Sequence, residues 1–149
     1  MPDAITFMMG KFAATLPTDL RYARNHMWLR PGADIHRFGF SAYAVRLMQD
    51  VYFLDWQVES GAAVQLKQQI GHIETSKAMS DLFAPMGGTI VRFNQELLKD
   101  PSAINVDTYG AGWLFEMTGP IDDTLTAQEY HDFLSANWEN TQRMLKGHM

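Results

Sequence analysis

The stretch Gly71–Gly88, GHIETSKAMSDLFAPMGG, decides the fold. His72, Ile73, Glu74 and Thr75 alternate polar and apolar as a half-buried strand does, and Met79 to Phe83 do the same before Ala84-Pro85 ends the run. Ser76-Lys77-Ala78 between them reads as a hairpin tip, so one lysine sits at the bend. Spacing alone leaves two uses open for Lys77: a solvated charge that aids solubility, or an amine displayed for chemistry.

Working outward, ETSKAMSDLFAPMGGTI (Glu74–Ile90), with Gly61 and Val64 upstream, resembles the lipoyl-attachment region of biotinyl and lipoyl carrier domains. LPTDLRYARNHMWLR (Leu16–Arg30), GFSAYA (Gly39–Ala44), QDVYFLD (Gln49–Asp55) and INVDTYGAGWLFEM (Ile104–Met117) add the order and spacing of the H protein of the glycine cleavage system. The resemblance spans roughly residues 16 to 135. It implies a mainly β (α+β) chain: a lipoyl-type barrel-sandwich hybrid of two small sheets, with short helices and a C-terminal α-helix. It also implies that Lys77 is the lipoyl attachment site, that the cofactor is lipoate held as lipoyl-lysine, and that the protein is a carrier rather than an enzyme. Residues 1–15 are then an N-terminal extension and residues 16–149 a single carrier domain.

Composition is consistent with this. A chain of 149 residues suits one domain with one buried core, and 46% hydrophobic with 19% charged residues is a globular balance. A net charge of -5 argues against nucleic acid and offers no basic stripe to an anionic membrane. No apolar run approaches 18 residues, and the first residues, with Asp3 and the interruption at Gly10-Lys11, do not read as a secretory signal, so the expected location is cytoplasmic. The lack of cysteine removes disulfides and thiolate metal sites. It suits an arm cycling between dithiol and disulfide, which a protein thiolate would attack, and equally the low cysteine usage of small cytosolic domains.

Along the chain, Ile5, Met8, Met9 and Phe12 fall at i, i+3, i+4 and i+7, the spacing of a short amphipathic helix, weakened by Gly10. Leu20 to Leu29 leads into a strand with Tyr22 and Trp28 as core or pocket aromatics, and Pro31-Gly32 makes a turn. Phe38-Gly39-Phe40 is a strand, after which Ser41 caps a helix over Ala42–Met48 whose Ala44, Leu47 and Met48 face inward. In the next strand Val51, Phe53 and Trp56 point one way and Tyr52 and Asp55 the other. Thr89–Phe93 is a strand, Asn94 opens a helical turn over Gln95–Leu98, and Leu114–Met117 is a strand entered through Tyr109–Trp113. The Gly-x-Gly within that segment lacks the spacing and helix of a dinucleotide site. Thr126 and Glu129 form a capping box for a C-terminal helix reaching about Leu145, with Tyr130, Phe133, Leu134 and Trp138 as its apolar stripe.

The remaining candidate residues follow from the resemblance. Glu74 and Asp81 flank the tip at positions usually acidic in the H protein, as recognition points for a lipoate-protein ligase or client enzymes or as ordinary solvated charges. Met27, Leu47 and Asp81 are the candidates to line a cleft for the arm. The family's glutamate before the tryptophan is Met27 here, and a thioether cannot offset an amine's charge. Met48-Gln49, Trp56-Gln57 and Lys67 are further departures, which leave the fold intact and bear on the cargo.

Three functions are therefore expected to compete. The first is a specialised lipoate-binding carrier serving a heterodisulfide-reductase-like sulfur-oxidising complex. The second is the aminomethyl carrier of glycine cleavage, moving between a pyridoxal-phosphate decarboxylase, a tetrahydrofolate-dependent aminomethyltransferase and dihydrolipoamide dehydrogenase. The third is a non-lipoylated interaction or lipoate-relay protein with Lys77 free. A metal site is not expected: His72 with Glu74, and His131 with Asp132, find no third ligand by spacing, and His26 and His36 read as satisfied polar residues near the core.

Overall fold

The computed structural model describes residues 3–147, with side chains through residue 142; the terminal pairs 1–2 and 148–149 of the expected extension and domain lie outside the described residues. The first element corrects an expectation. Ile5, Met8, Met9 and Phe12 do not share a helix face: β1 (Ala4–Met9) and β2 (Phe12–Pro17) form an antiparallel hairpin pairing Phe7 with Ala14 and Ile5 with Leu16. Gly10 takes φ +65 at the turn, a conformation that suits glycine and a two-residue hairpin loop. The period of two then buries Phe7, Met9, Ala14 and Leu16 on one side, which a helix over these residues would not do.

A six-stranded antiparallel sheet follows the order β3 (Arg21–Tyr22), β4 (Met27–Arg30), β5 (His36–Phe40), β11 (Phe115–Thr118), β10 (Gly88–Phe93), β7 (Ala63–Val64). A three-stranded sheet of β6 (Val51–Trp56), β8 (Gln69–Thr75) and β9 (Met79–Phe83) carries the Lys77 hairpin. Their inner residues share one core, with Leu29, Phe38, Ile90 and Phe115 from the larger sheet and Leu54, Ile73 and Leu82 from the smaller. The expected alternation in β6 fails at one point: a register shift between Val51 and Phe53 turns Phe53 outward, 44% exposed, and Leu54 inward.

Helix α1 (Ala42–Met48) has the expected bounds; Tyr43 and Ala44 are buried and Leu47 and Met48 half-buried. Ser41 accepts the Ala44 N–H at 3.2 Å as its cap. Short helices α2 (Gln95–Lys99) and α3 (Ala103–Val106) follow β10, the second without a strong sequence signal. Helix α4 (Ala127–Gly147) opens on the expected capping box, Thr126 and Glu129 exchanging hydrogen bonds. Its Tyr130 and Leu134 pack with the hairpin, Tyr22, Trp28 and Tyr43 in a second cluster, where Tyr22 and Tyr130 stack at 4.6 Å. Among the described residues no helix is long and apolar enough to cross a membrane.

Candidate functional site

The tip between β8 and β9 is built around one hydroxyl. Thr75 is buried, and its Oγ1 accepts the backbone N–H groups of Lys77 and Ala78 and donates to the Ala78 carbonyl, each at 3.2 Å. One donor and two acceptor positions use the full capacity of a threonine hydroxyl. The bend is tied sideways as well: Ser76 N–H donates to the Asp50 carbonyl at 2.9 Å, and Asp50 N–H donates to Ser76 Oγ at 3.2 Å. Lys77 is exposed, and among the described residues its ammonium has no hydrogen-bond or ion-pair partner. A rigid backbone thus ends in a free, accessible amine.

Beside the tip lies a cleft of about 200 Å³ between α1 and β9, and three expected site residues, Met27, Leu47 and Asp81, meet in its wall. Phe40, Ile73 and Leu82 add to its apolar lining. Ser80 and Asp81, on β9, bring the cleft within a few residues of Lys77. Glu74 is elsewhere: it faces outward on β8, opposite Phe53 and Met79. Asp81 opposes His72 on the same outward side, 3.7 Å away. A larger hollow of about 340 Å³, lined by Phe7, Met8, His131 and Trp138, lies between the hairpin and α4, and no residue of β8 or β9 reaches it.

Two more residues line the cleft: Asn25, which the sequence does not single out, and His26, read there as a satisfied polar residue near the core. Asn25 donates to the Phe83 carbonyl at 3.0 Å, but its Oδ1 is buried with no partner, a costly state unless a donor reaches it. His26 lines the same cleft with φ +71; its Nδ1 meets Tyr130 Oη at 2.9 Å, and that hydroxyl meets Ser41 Oγ, also at 2.9 Å. Burial pushes the His26 imidazole down to about 4, so it is neutral near pH 7. Their position beside the departure at Met27 was the available signal. Among the described residues no group of three or more histidines and carboxylates is placed to hold a metal ion.

Residues 20–141 match the family model described as glycine cleavage H-protein, leaving β1 and β2 outside the match. The chain is similar to the glycine cleavage system H protein of Gloeothece citriformis, 40% identical over 119 residues that cover 76% of this chain and 90% of that one. It is also similar to that of Pseudoalteromonas atlantica, 37% identical over 124 residues covering 80% and 95%. A crystal structure of a glycine cleavage system H protein from Mycobacterium marinum superposes with a TM-score of 0.72 at 35% identity, covering 80% of this chain and 99% of that one.

Proposed function

Because the chain belongs to the glycine cleavage H-protein family, we propose that it carries the aminomethyl cargo of glycine cleavage on a lipoyl arm attached at Lys77. It is a non-catalytic carrier whose cofactor is a covalent lipoyl-lysine. The observation that carries the attachment site is the unpaired, exposed Lys77 amine on the backbone bend held by Thr75. The group supplies a dithiol-disulfide pair on a long tether, which replaces free diffusion by local delivery. The chain's own residues do the rest. Thr75, Ser76 and Asp50 fix the point of attachment, and the cleft beside it offers apolar shelter. The orphan Oδ1 of Asn25 supplies an acceptor suited to an amine's N–H groups, partly replacing the carboxylate that Met27 lacks, while Asp81, turned toward His72, stands at the rim. The partners on this reading are a lipoate-protein ligase and the glycine cleavage enzymes, including dihydrolipoamide dehydrogenase. Residues 16–149 act as the carrier domain and residues 1–15 as an extension.

One observation favours a second cargo. Met27, 1% exposed, presents a thioether to the cleft, which suits a sulfur-bearing arm in a heterodisulfide-reductase-like oxidation route as well as it suits a neutral one. The relatives described above are glycine cleavage proteins, so the aminomethyl cargo ranks first.

Intact mass after co-expression with a lipoate-protein ligase tests the site: wild type gains one lipoyl group and Lys77→Arg gains none. Lipoylation persisting in Lys77→Arg, or an unmodified wild type, refutes it. Loading of the lipoylated protein by the decarboxylase then separates the cargoes, since lipoylation without aminomethyl loading favours the sulfur route.

A further inference from the structure

Away from the arm, the outer face of the six-stranded sheet carries a row of charges in register across four strands. Arg30 on β4 pairs with Arg37 on β5, Arg37 with Glu116 on β11, and Glu116 with Arg92 on β10. Three guanidiniums and one carboxylate leave the row with a net positive charge, in a chain whose total is -5. Glu116 is the organiser. Its two oxygens accept separately, Oε2 from Arg37 Nε at 2.9 Å and Oε1 from Arg92 Nε. The carboxylate side chain is only 12% exposed, whereas those of Arg37 and Arg92 are 35% and 60% exposed. Burial pushes the Glu116 carboxyl up, but its bonds to Arg92 and Arg37 outweigh that and hold it below the usual range.

The Trp113 ring completes the arrangement, with the Arg37 guanidinium 4.3 Å and the Arg92 guanidinium 5.5 Å from its centroid. Both arginines spend only Nε on Glu116: their terminal Nη groups make no hydrogen bond to any described residue. Two guanidinium forks are therefore fixed in direction by a half-hidden carboxylate and an indole face, with their terminal donors unspent. A planar fork of this kind matches a carboxylate in two-point contact.

We propose that Arg37 and Arg92, set by Glu116 against Trp113, form a docking site for a surface carboxylate of a partner enzyme. A protein carboxylate suits the face better than a free small anion, because an open sheet surface gives a small anion no enclosure. Arginine and tryptophan are also the side chains that anchor protein interfaces. The site lies on a different sheet from Lys77, so it can hold an enzyme while the arm remains free to move. The identification of that enzyme as one of the glycine cleavage set rests on the function proposed above.

The test measures the affinity of the lipoylated full-length protein for the decarboxylase, the aminomethyltransferase and the dehydrogenase separately, by calorimetry at low and moderate salt. Arg92→Gln, which changes an exposed side chain, is expected to weaken at least one complex by roughly threefold or more, with a smaller loss at higher salt. Glu116→Gln is the discriminating variant. It keeps both arginines and makes the row more positive, so simple charge attraction predicts a tighter complex, whereas loss of the clamp predicts a weaker one. A weaker complex for both variants supports the site, and perturbation of the Arg37 and Arg92 Nε–H resonances when the enzyme is added supports it independently. All three complexes within threefold of wild type for Arg92→Gln, or a tighter complex for Glu116→Gln, overturns this inference alone. A wild-type protein that binds none of the three overturns the functional reading as well.

Discussion

Acidification from pH 7 to pH 5 is expected to cost the native state about 2 kcal/mol through His26 alone. Its imidazole is lowered to about 4 by burial, while the unfolded chain keeps the ordinary value near 6.5. Below pH 6.5 the unfolded state therefore binds a proton that the native state refuses, and stability falls as pH falls. The loss continues until the native imidazole itself titrates, reaching roughly 3 kcal/mol near pH 4. The window from pH 7 to 5 lies above the carboxylates held low by their bonds, Glu116, Glu129 and Asp100, so these add little to it. The comparison variant is His26→Asn, because asparagine tolerates the left-handed φ of +71 better than most residues. Urea unfolding of both proteins at half-unit pH steps gives the two curves, and their difference isolates His26 from the other histidines. Curves that run parallel to within about 0.5 kcal/mol between pH 7 and 5 would refute the reasoning, since they place the imidazole in contact with water.

Two further substitutions address the tip and the sheet. Thr75→Val keeps the side-chain shape but leaves the Lys77 and Ala78 N–H groups without their acceptor; a loss of about 1–3 kcal/mol and a lower kcat/KM for the ligase are expected, with Thr75→Ser restoring both. Gly39→Ala would set a methyl group 2.5 Å from the indole of the fully buried Trp28, and thermal melting should show a loss of about 1–3 kcal/mol; an unchanged midpoint would mean that the indole moves freely.

What could be read from sequence was local chemistry with a fixed offset. Ser41 before Ala42–Met48, Thr126 three residues before Glu129, and the short polar break at Ser76–Ala78 each carry their structure in neighbouring side chains, and each is found as expected. The N-terminal hairpin escapes the helical reading because Met8 and Phe12 are apolar yet 52% and 50% exposed, completing with Ile5 and Met9 a stripe that the buried Phe7, Ala14 and Leu16 contradict. That Phe53 turns to the side opposite Val51 is not legible, because no residue type announces the irregularity at Val51–Phe53, which comes from pairing with β8. At the site, Lys77, Met27, Leu47 and Asp81 were reachable through resemblance. The solitary Asn25 Oδ1 and the His26–Tyr130–Ser41 chain depend on residues up to 104 positions apart, and the Thr75 hydroxyl's triple role is a matter of angles that the letters do not hold.

The hydroxyl beneath the bend also governs mechanics. With the main chain pinned at Thr75 and strapped to Asp50, rotation of any appendage on Lys77 begins at the first side-chain bond and not in a wobbling loop. With the attachment proposed at Lys77, the tether's far end sweeps a dome centred on a pinned hinge. Enzymes of different shapes need only bring their catalytic pockets to the same radius.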